Sequence, residues 1–124
     1  MYKKLSDAAN LAPGDTEIWY QKPDFFGRYG KGTDPQDLSK THILLGTIGI
    51  AKLETIFGAL QGENWSPNGE ARQLIQEKGL AHTSMSCGDI AVIDGTVWLC
   101  AAFGWDNLNA DKHVNIGDTY QQDI

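Results

Sequence analysis

The chain is 124 residues long, 41% hydrophobic, and carries sixteen acidic against ten basic side chains for a net charge of −6. That size and composition suit a single domain with one core and exclude a wholly disordered chain, while the acidic balance opposes binding to nucleic-acid phosphates. The apolar runs fall far short of the ~20 residues that span a bilayer, the sequence predicts no signal peptide, and its two cysteines suit a reducing cytoplasm.

Residues 1–15 end in Ala12-Pro-Gly-Asp15, a turn cluster, and read as an N-terminal arm. Thr16–Gln21 is rich in aromatic and β-branched residues and predicts a first strand. Lys22–Lys40, with Gly27, Gly30, Gly32, Pro23 and Pro35, reads as a long connection; such loops are usually functional or mobile. Thr41–Ile48 predicts a second strand. Over residues 50–61 the apolar period becomes helical, with Leu53, Ile56, Phe57 and Leu60 as one stripe and Gly62 as the natural stop. A second helix is expected with Ser66 as N-cap, Pro67 at its first position, Ala71, Leu74 and Ile75 facing the core, and Gly79 after the last turn.

Asp94-Gly95 is the strongest local signal, because a type I′ turn needs φ > 0 at both central residues. It predicts a hairpin pairing Ile93 with Thr96, Val92 with Val97, Ala91 with Trp98, Ile90 with Leu99 and Asp89 with Cys100. Ile90, Val92, Val97 and Leu99 then form an apolar face suited to the core. Asp89, Ala91, Ile93, Thr96, Trp98 and Cys100 form a mixed face that presents Trp98 outward. Residues 106–124 lack a sustained period and read as a polar tail. The expectation is one domain over 1–124 with an α+β fold: an antiparallel sheet of about four strands, β-β-α-α-β-β, with two helices packed on one face.

No catalytic or metal motif stands out. Cys87 lies diagonal to Cys100, at a spacing too long for a disulfide, and C-x-x-C and H-x-x-x-H spacings do not occur. No metal or cofactor is therefore expected. His82, Ser84, Ser86, Cys87 and Asp89 have the residue types of a base, nucleophile and orienter, but they lie along a strand approach where side chains alternate faces. Arg28, Tyr29 and Lys31, set among glycines, combine cations, an aromatic and backbone able to approach phosphate. Trp65, Asn68, Glu70 and Arg72 surround the expected helix start, and Trp98 and Trp105 lie at the hairpin's mixed face and its end.

The segments Gly62-Glu-Asn-Trp-Ser-Pro-Asn-Gly-Glu-Ala-Arg72, Gly79-Leu-Ala-His-Thr-Ser-Met-Ser-Cys-Gly-Asp-Ile-Ala-Val-Ile93 and Ala101-Ala-Phe-Gly-Trp105 resemble a group of small proteins of phages, plasmids and integrative elements. Their hairpin half is similar to the YodL-like domain, whose strand reads H-[ST]-M-S-V-x-D-[VI]-[IV]-V and closes on F-G-[FW]; here Cys87 replaces the Val and the turn is shorter. The resemblance covers about a third of the chain. It implies an accessory gene of a mobile element and carries no activity.

The expected function is that of a non-enzymatic binding protein, in the host cytosol, that antagonises host defence by occupying a host protein complex. Arg28, Tyr29, Lys31, Trp65, Asn68, Glu70, Arg72, Trp98 and Trp105 would form one contact surface. A reading of another class is a homo-oligomeric sponge whose Arg28, Lys31 and Arg72 hold the phosphates of a nucleotide-like ligand. A small enzyme using His82 and Asp89 is a third, and charge disfavours direct DNA binding.

Overall fold

The computed structural model describes residues 11–110 and, for their backbone only, 112–114. Among these, six strands form one antiparallel sheet: β1 (Thr16–Gln21), β2 (His42–Ile48), β3 (Ile90–Ile93), β4 (Thr96–Ala101), β5 (Gly104–Asn107) and β6 (Lys112–Val114). Their order across the sheet is β2-β1-β3-β4-β5-β6. Three short helices, α1 (Leu53–Ala59), α2 (Gly62–Trp65) and α3 (Arg72–Glu77), fill the connection between β2 and β3. Two single 3-10 turns, Pro23–Phe25 and Leu38–Lys40, lie within the connection between β1 and β2. No helix among the described residues is long and apolar enough to cross a membrane.

The α+β class stands, with corrections to its parts. The sheet has six strands rather than four, because Gly104–Asn107 pairs onto β4 and Lys112–Val114 onto β5 where a tail was expected. Both segments are too short for a period to show, and the β4–β5 turn is a two-residue link, Ala102-Phe103. The rest of the expected tail, 115–124, lies outside the described residues, as do residues 1–10 of the expected arm. Its remainder docks on the sheet: Gly49 N–H donates to Ala12 O at 2.8 Å, and Leu11 packs against the core.

The helices are shorter and more divided than their apolar stripes predict. Leu53, Ile56 and Leu60 are buried as expected, but Gly62 opens α2 rather than closing α1. Ser66 does not cap a helix beginning at Pro67. The chain first turns through Gly69 at φ +84°, and the Ser66 hydroxyl accepts from Ala71 N–H at 2.9 Å, one residue before α3 begins. Gly79, at φ +71°, does end α3.

The hairpin register is as the turn dictates, from Ile93 with Thr96 to Ile90 with Leu99, with Asp94 and Gly95 at φ +50° and +82°. Beyond Ile90 the ladder bulges. Gly88 N–H donates to Cys100 O and Cys100 N–H donates to Asp89 O, both at 2.8 Å, so two residues oppose one. Gly88, at φ +101°, supplies the left-handed conformation that the bulge needs.

The two faces carry the reverse of their expected loads. The main core, including Ile18, Tyr20, Leu45, Ile56, Leu60, Trp65, Leu74 and Met85, closes on the face of Ala91 and Cys100, with Trp98 half-buried against it. The small side chains of Ala91 and Cys100 leave room there for the helical layer. The all-aliphatic face of Ile90, Val97 and Leu99 holds a smaller cluster, closed by Leu38 from the β1–β2 connection. That connection therefore serves as a second cover layer. At Gly30, φ +84°, an added Cβ would lie 2.6 Å from a Leu99 methyl, so a larger residue there would both strain the backbone and displace the Leu99 side chain.

Candidate functional site

Three constellations emerge from this framework. The first is a buried polar node where the bulge meets β1 and β2. The extra residue at Gly88 breaks strand alternation and turns Asp89 inward, where it is fully buried. Its Oδ1 accepts from Gln21 N–H at 2.9 Å; its Oδ2 accepts from Ser86 N–H at 2.8 Å and pairs with His82 Nε2 at 2.9 Å. Because a carboxylate only accepts, Nε2 carries the proton. His82 Nδ1 is left buried without a hydrogen-bond partner among the described residues. The imidazole is sandwiched, with Tyr20 stacked on it at 4.6 Å and Phe26 tilted against it at 4.5 Å between ring centroids.

A second histidine joins from β2. His42 Nε2–H donates to Gly88 O at 2.7 Å, and Nδ1 lies 2.6 Å from the Thr41 hydroxyl. Burial pulls the His42 pKa below the ordinary histidine value, with the Gly88 carbonyl opposing the shift. Burial, helped by the nearby Asp89 charge, pushes the Tyr20 phenol well above its ordinary value, and its hydroxyl donates to Thr83 O at 2.7 Å. Residue types alone pair His82 with Asp89; they give no sign that Gln21, His42, Tyr20 and Phe26 complete the node. Gln21 Oε1 is a second buried atom of the node without a hydrogen-bond partner among the described residues. Cys87 and Cys100 are both free thiols. Among the described residues no cluster of three or more His, Cys, Asp or Glu is arranged to hold a metal ion.

The second constellation is the segment from Lys22 to Thr33. It is wound by consecutive turns: Phe25 N–H to Lys22 O, Arg28 N–H to Phe25 O, Lys31 N–H to Arg28 O and Thr33 N–H to Gly30 O, at 2.8 to 3.1 Å. Phe26 anchors one end on His82, and Gly30 settles on Leu99 at the other. Between them Arg28 lies over the Phe25 ring at 5.0 Å, and Tyr29 stands 72% exposed at φ +54°. Arg28, Tyr29 and Lys31 are all at the surface, as the sequence suggests.

The third is the connection between α2 and α3. Asn68, Glu70 and Arg72 are exposed there, beside a cleft of about 570 Å³ lined by Ser66, Asn68, Gly69, Arg72, Ile75, Gln76 and Thr83. The Glu70 carboxylate accepts from Asn68 N–H at 2.8 Å and from its side-chain amide at 3.3 Å, and the backbone bond holds its pKa below the ordinary value.

The three groups do not form the single surface expected from the sequence. Trp65 and Trp105 are in the core, and Trp65 Nε1–H donates to Thr83 O at 3.0 Å. Each ring meets a cluster of aliphatic side chains, so neither is available to a partner. Trp98 is half-buried against the same core. Nor do Arg28 and Lys31 line the cleft that holds Arg72; the turn segment lies instead against His82 at Phe26 and against Leu99 at Gly30. No protein-family model, no curated protein and no solved structure matches this chain.

Proposed function

We propose that the protein is a non-enzymatic binding protein that acts by occupying a partner protein through the turn segment at Phe26, Arg28, Tyr29 and Lys31. The observation that carries this reading is Tyr29. A non-glycine residue at positive φ costs about 1 kcal/mol or more relative to glycine, and a side chain 72% exposed recovers little of that by burial. Backbone strain retained at an exposed aromatic is a mark of function. Tyrosine, arginine and phenylalanine are also the residues that anchor protein interfaces. Hydrogen-bonded turns hold them in place before binding, which reduces the ordering entropy that association must offset.

The pattern at residues 62–105 supports an origin in a phage or mobile element. A small acidic protein from such a source, acting by occlusion, fits an antagonist of host defence with a host protein complex as its target. The enzyme reading loses support because His82 Nδ1 is closed off. Affinity capture from host lysate tests the proposal. The wild-type chain and a Gln73→Ala control should retain the same partner, and an Arg28→Ala/Tyr29→Ala variant should lose it. Equal retention by all three would refute it.

A further inference from the structure

The cleft between α2 and α3 is separate from the turn segment and contains a cation with no counter-charge. Arg72 folds back over Gly69, where an added Cβ would lie 3.1 Å from its guanidinium. Gly69 thus lets the side chain lie along the cleft wall. A carboxylate is available two residues away, yet Glu70 is engaged by Asn68 instead. Among the described residues the Arg72 guanidinium makes no ion pair and no hydrogen bond, its backbone N–H alone donating to Gly69 O at 3.1 Å, and the Gln76 and Thr83 side chains are likewise unengaged. Ser66 accepts from Ala71 N–H and keeps its own hydroxyl proton to donate. Ile75 provides apolar wall at the same place.

From this arrangement we infer that the cleft is a binding site for a small molecule bearing an oxyanion, a phosphate ester or a carboxylate, next to a compact apolar group. The guanidinium presents a planar fork of donors that matches either oxyanion bidentately. Gln76, Thr83 and Ser66 add neutral donors, and the apolar portion lies against Ile75. A volume of about 570 Å³ falls within the range of small-molecule sites. The site needs neither Arg28 nor Lys31, so it stands whether or not the turn segment binds a protein.

The test is titration of the ¹⁵N-labelled full chain, at constant ionic strength, with phenyl phosphate, benzoate and uncharged benzyl alcohol. Phenyl phosphate, benzoate or both should shift the Arg72 Nε–H and the amides of Asn68, Gly69 and Thr83 saturably; which of them does so identifies the oxyanion. Benzyl alcohol should not. Arg72→Gln should weaken binding by about tenfold or more, Arg72→Lys should weaken it less, and Arg28→Gln should leave it unchanged. Shifts spread over every cation, shifts equal with benzyl alcohol, or binding unaltered in Arg72→Gln would overturn the assignment. Arg72 is exposed, so these variants keep the fold, which their unperturbed core resonances will confirm.

Discussion

Gly88 is the position where the backbone and the polar node depend on each other most tightly. An added Cβ would stand 2.3 Å from Gln21 Oε1 and 2.7 Å from its Nε2. Gln21 is buried, so its amide has to repack rather than swing into solvent. In repacking it gives up the hydrogen bond to Cys87 O at 3.0 Å and the longer one to Asp89 at 3.4 Å. The first contribution to Gly88→Ala is the positive φ, about 1–2 kcal/mol. The second is the displaced amide, roughly another 1–2 kcal/mol for a buried hydrogen bond and local overpacking. The expected loss is therefore about 2–4 kcal/mol, read as a lower urea midpoint with an unchanged slope. A double-mutant cycle separates the two parts. In a Gln21→Ala background only the backbone contribution remains, so Gly88→Ala should cost about 1–2 kcal/mol less there than in the wild type. A loss under about 0.5 kcal/mol in the wild type, or no coupling to Gln21, would refute the reasoning.

Other expectations follow from the same contacts. Asp89→Asn turns an amide N–H₂ toward donors and should destabilise by about 1–3 kcal/mol in urea, while leaving partner capture intact if the node is structural. His42 has a folded pKa lowered by burial. Below about pH 6.5 the unfolded chain therefore takes up a proton that the folded chain resists. Stability from this group is present above that pH and is lost as pH falls toward the folded value; comparison of urea midpoints at several pH values should show a shallower acid decline in His42→Gln. Cys100 is buried, with its thiol pKa pushed up by burial, whereas Cys87 is half-buried. A thiol reagent should thus label one cysteine quickly in the native protein and two in urea. Tyr29→Gly should leave stability unchanged or raise it by up to about 1 kcal/mol while abolishing partner capture; loss of stability would show that Tyr29 packs in a way its exposure denies.

Legibility in the sequence tracked how local the determining physics was. Asp94-Gly95 fixes four cross-strand pairs because turn geometry sets register directly. The stripe at Leu53, Ile56 and Leu60 was readable for a similar reason, since each residue's neighbour is one helical turn away. Which sheet face takes the helices is not local. Ile90, Val97 and Leu99 look like the better core, yet the helical layer settles over Ala91 and Cys100, and Leu38 covers the aliphatic side. β5 and β6 are not legible in the sequence because three or four residues cannot display a period. That Trp65 and Trp105 belong to the core is not legible in the sequence, because a tryptophan's burial depends on elements distant in sequence.

The candidate sites divide in the same way. Arg28, Tyr29 and Lys31 were readable as an exposed cluster because glycines and cations mark a loop, but the turn bonds that order it depend on the docking of Gly30 on Leu99. The His82–Asp89 pair was visible as residue types, and alternation argued against it. The bulge at Gly88, signalled only by a glycine before an aspartate, reverses that argument and buries Asp89 completely.

Backbone ¹⁵N relaxation over residues 25–33 of the free protein tests the central claim most directly, namely that the Tyr29 segment is a platform formed before any partner arrives. The account predicts order parameters near those of rigid strands, about 0.8 or higher, at Arg28, Tyr29, Gly30 and Lys31. Values below about 0.6 at these residues would mean that the turns do not hold in solution and would contradict it.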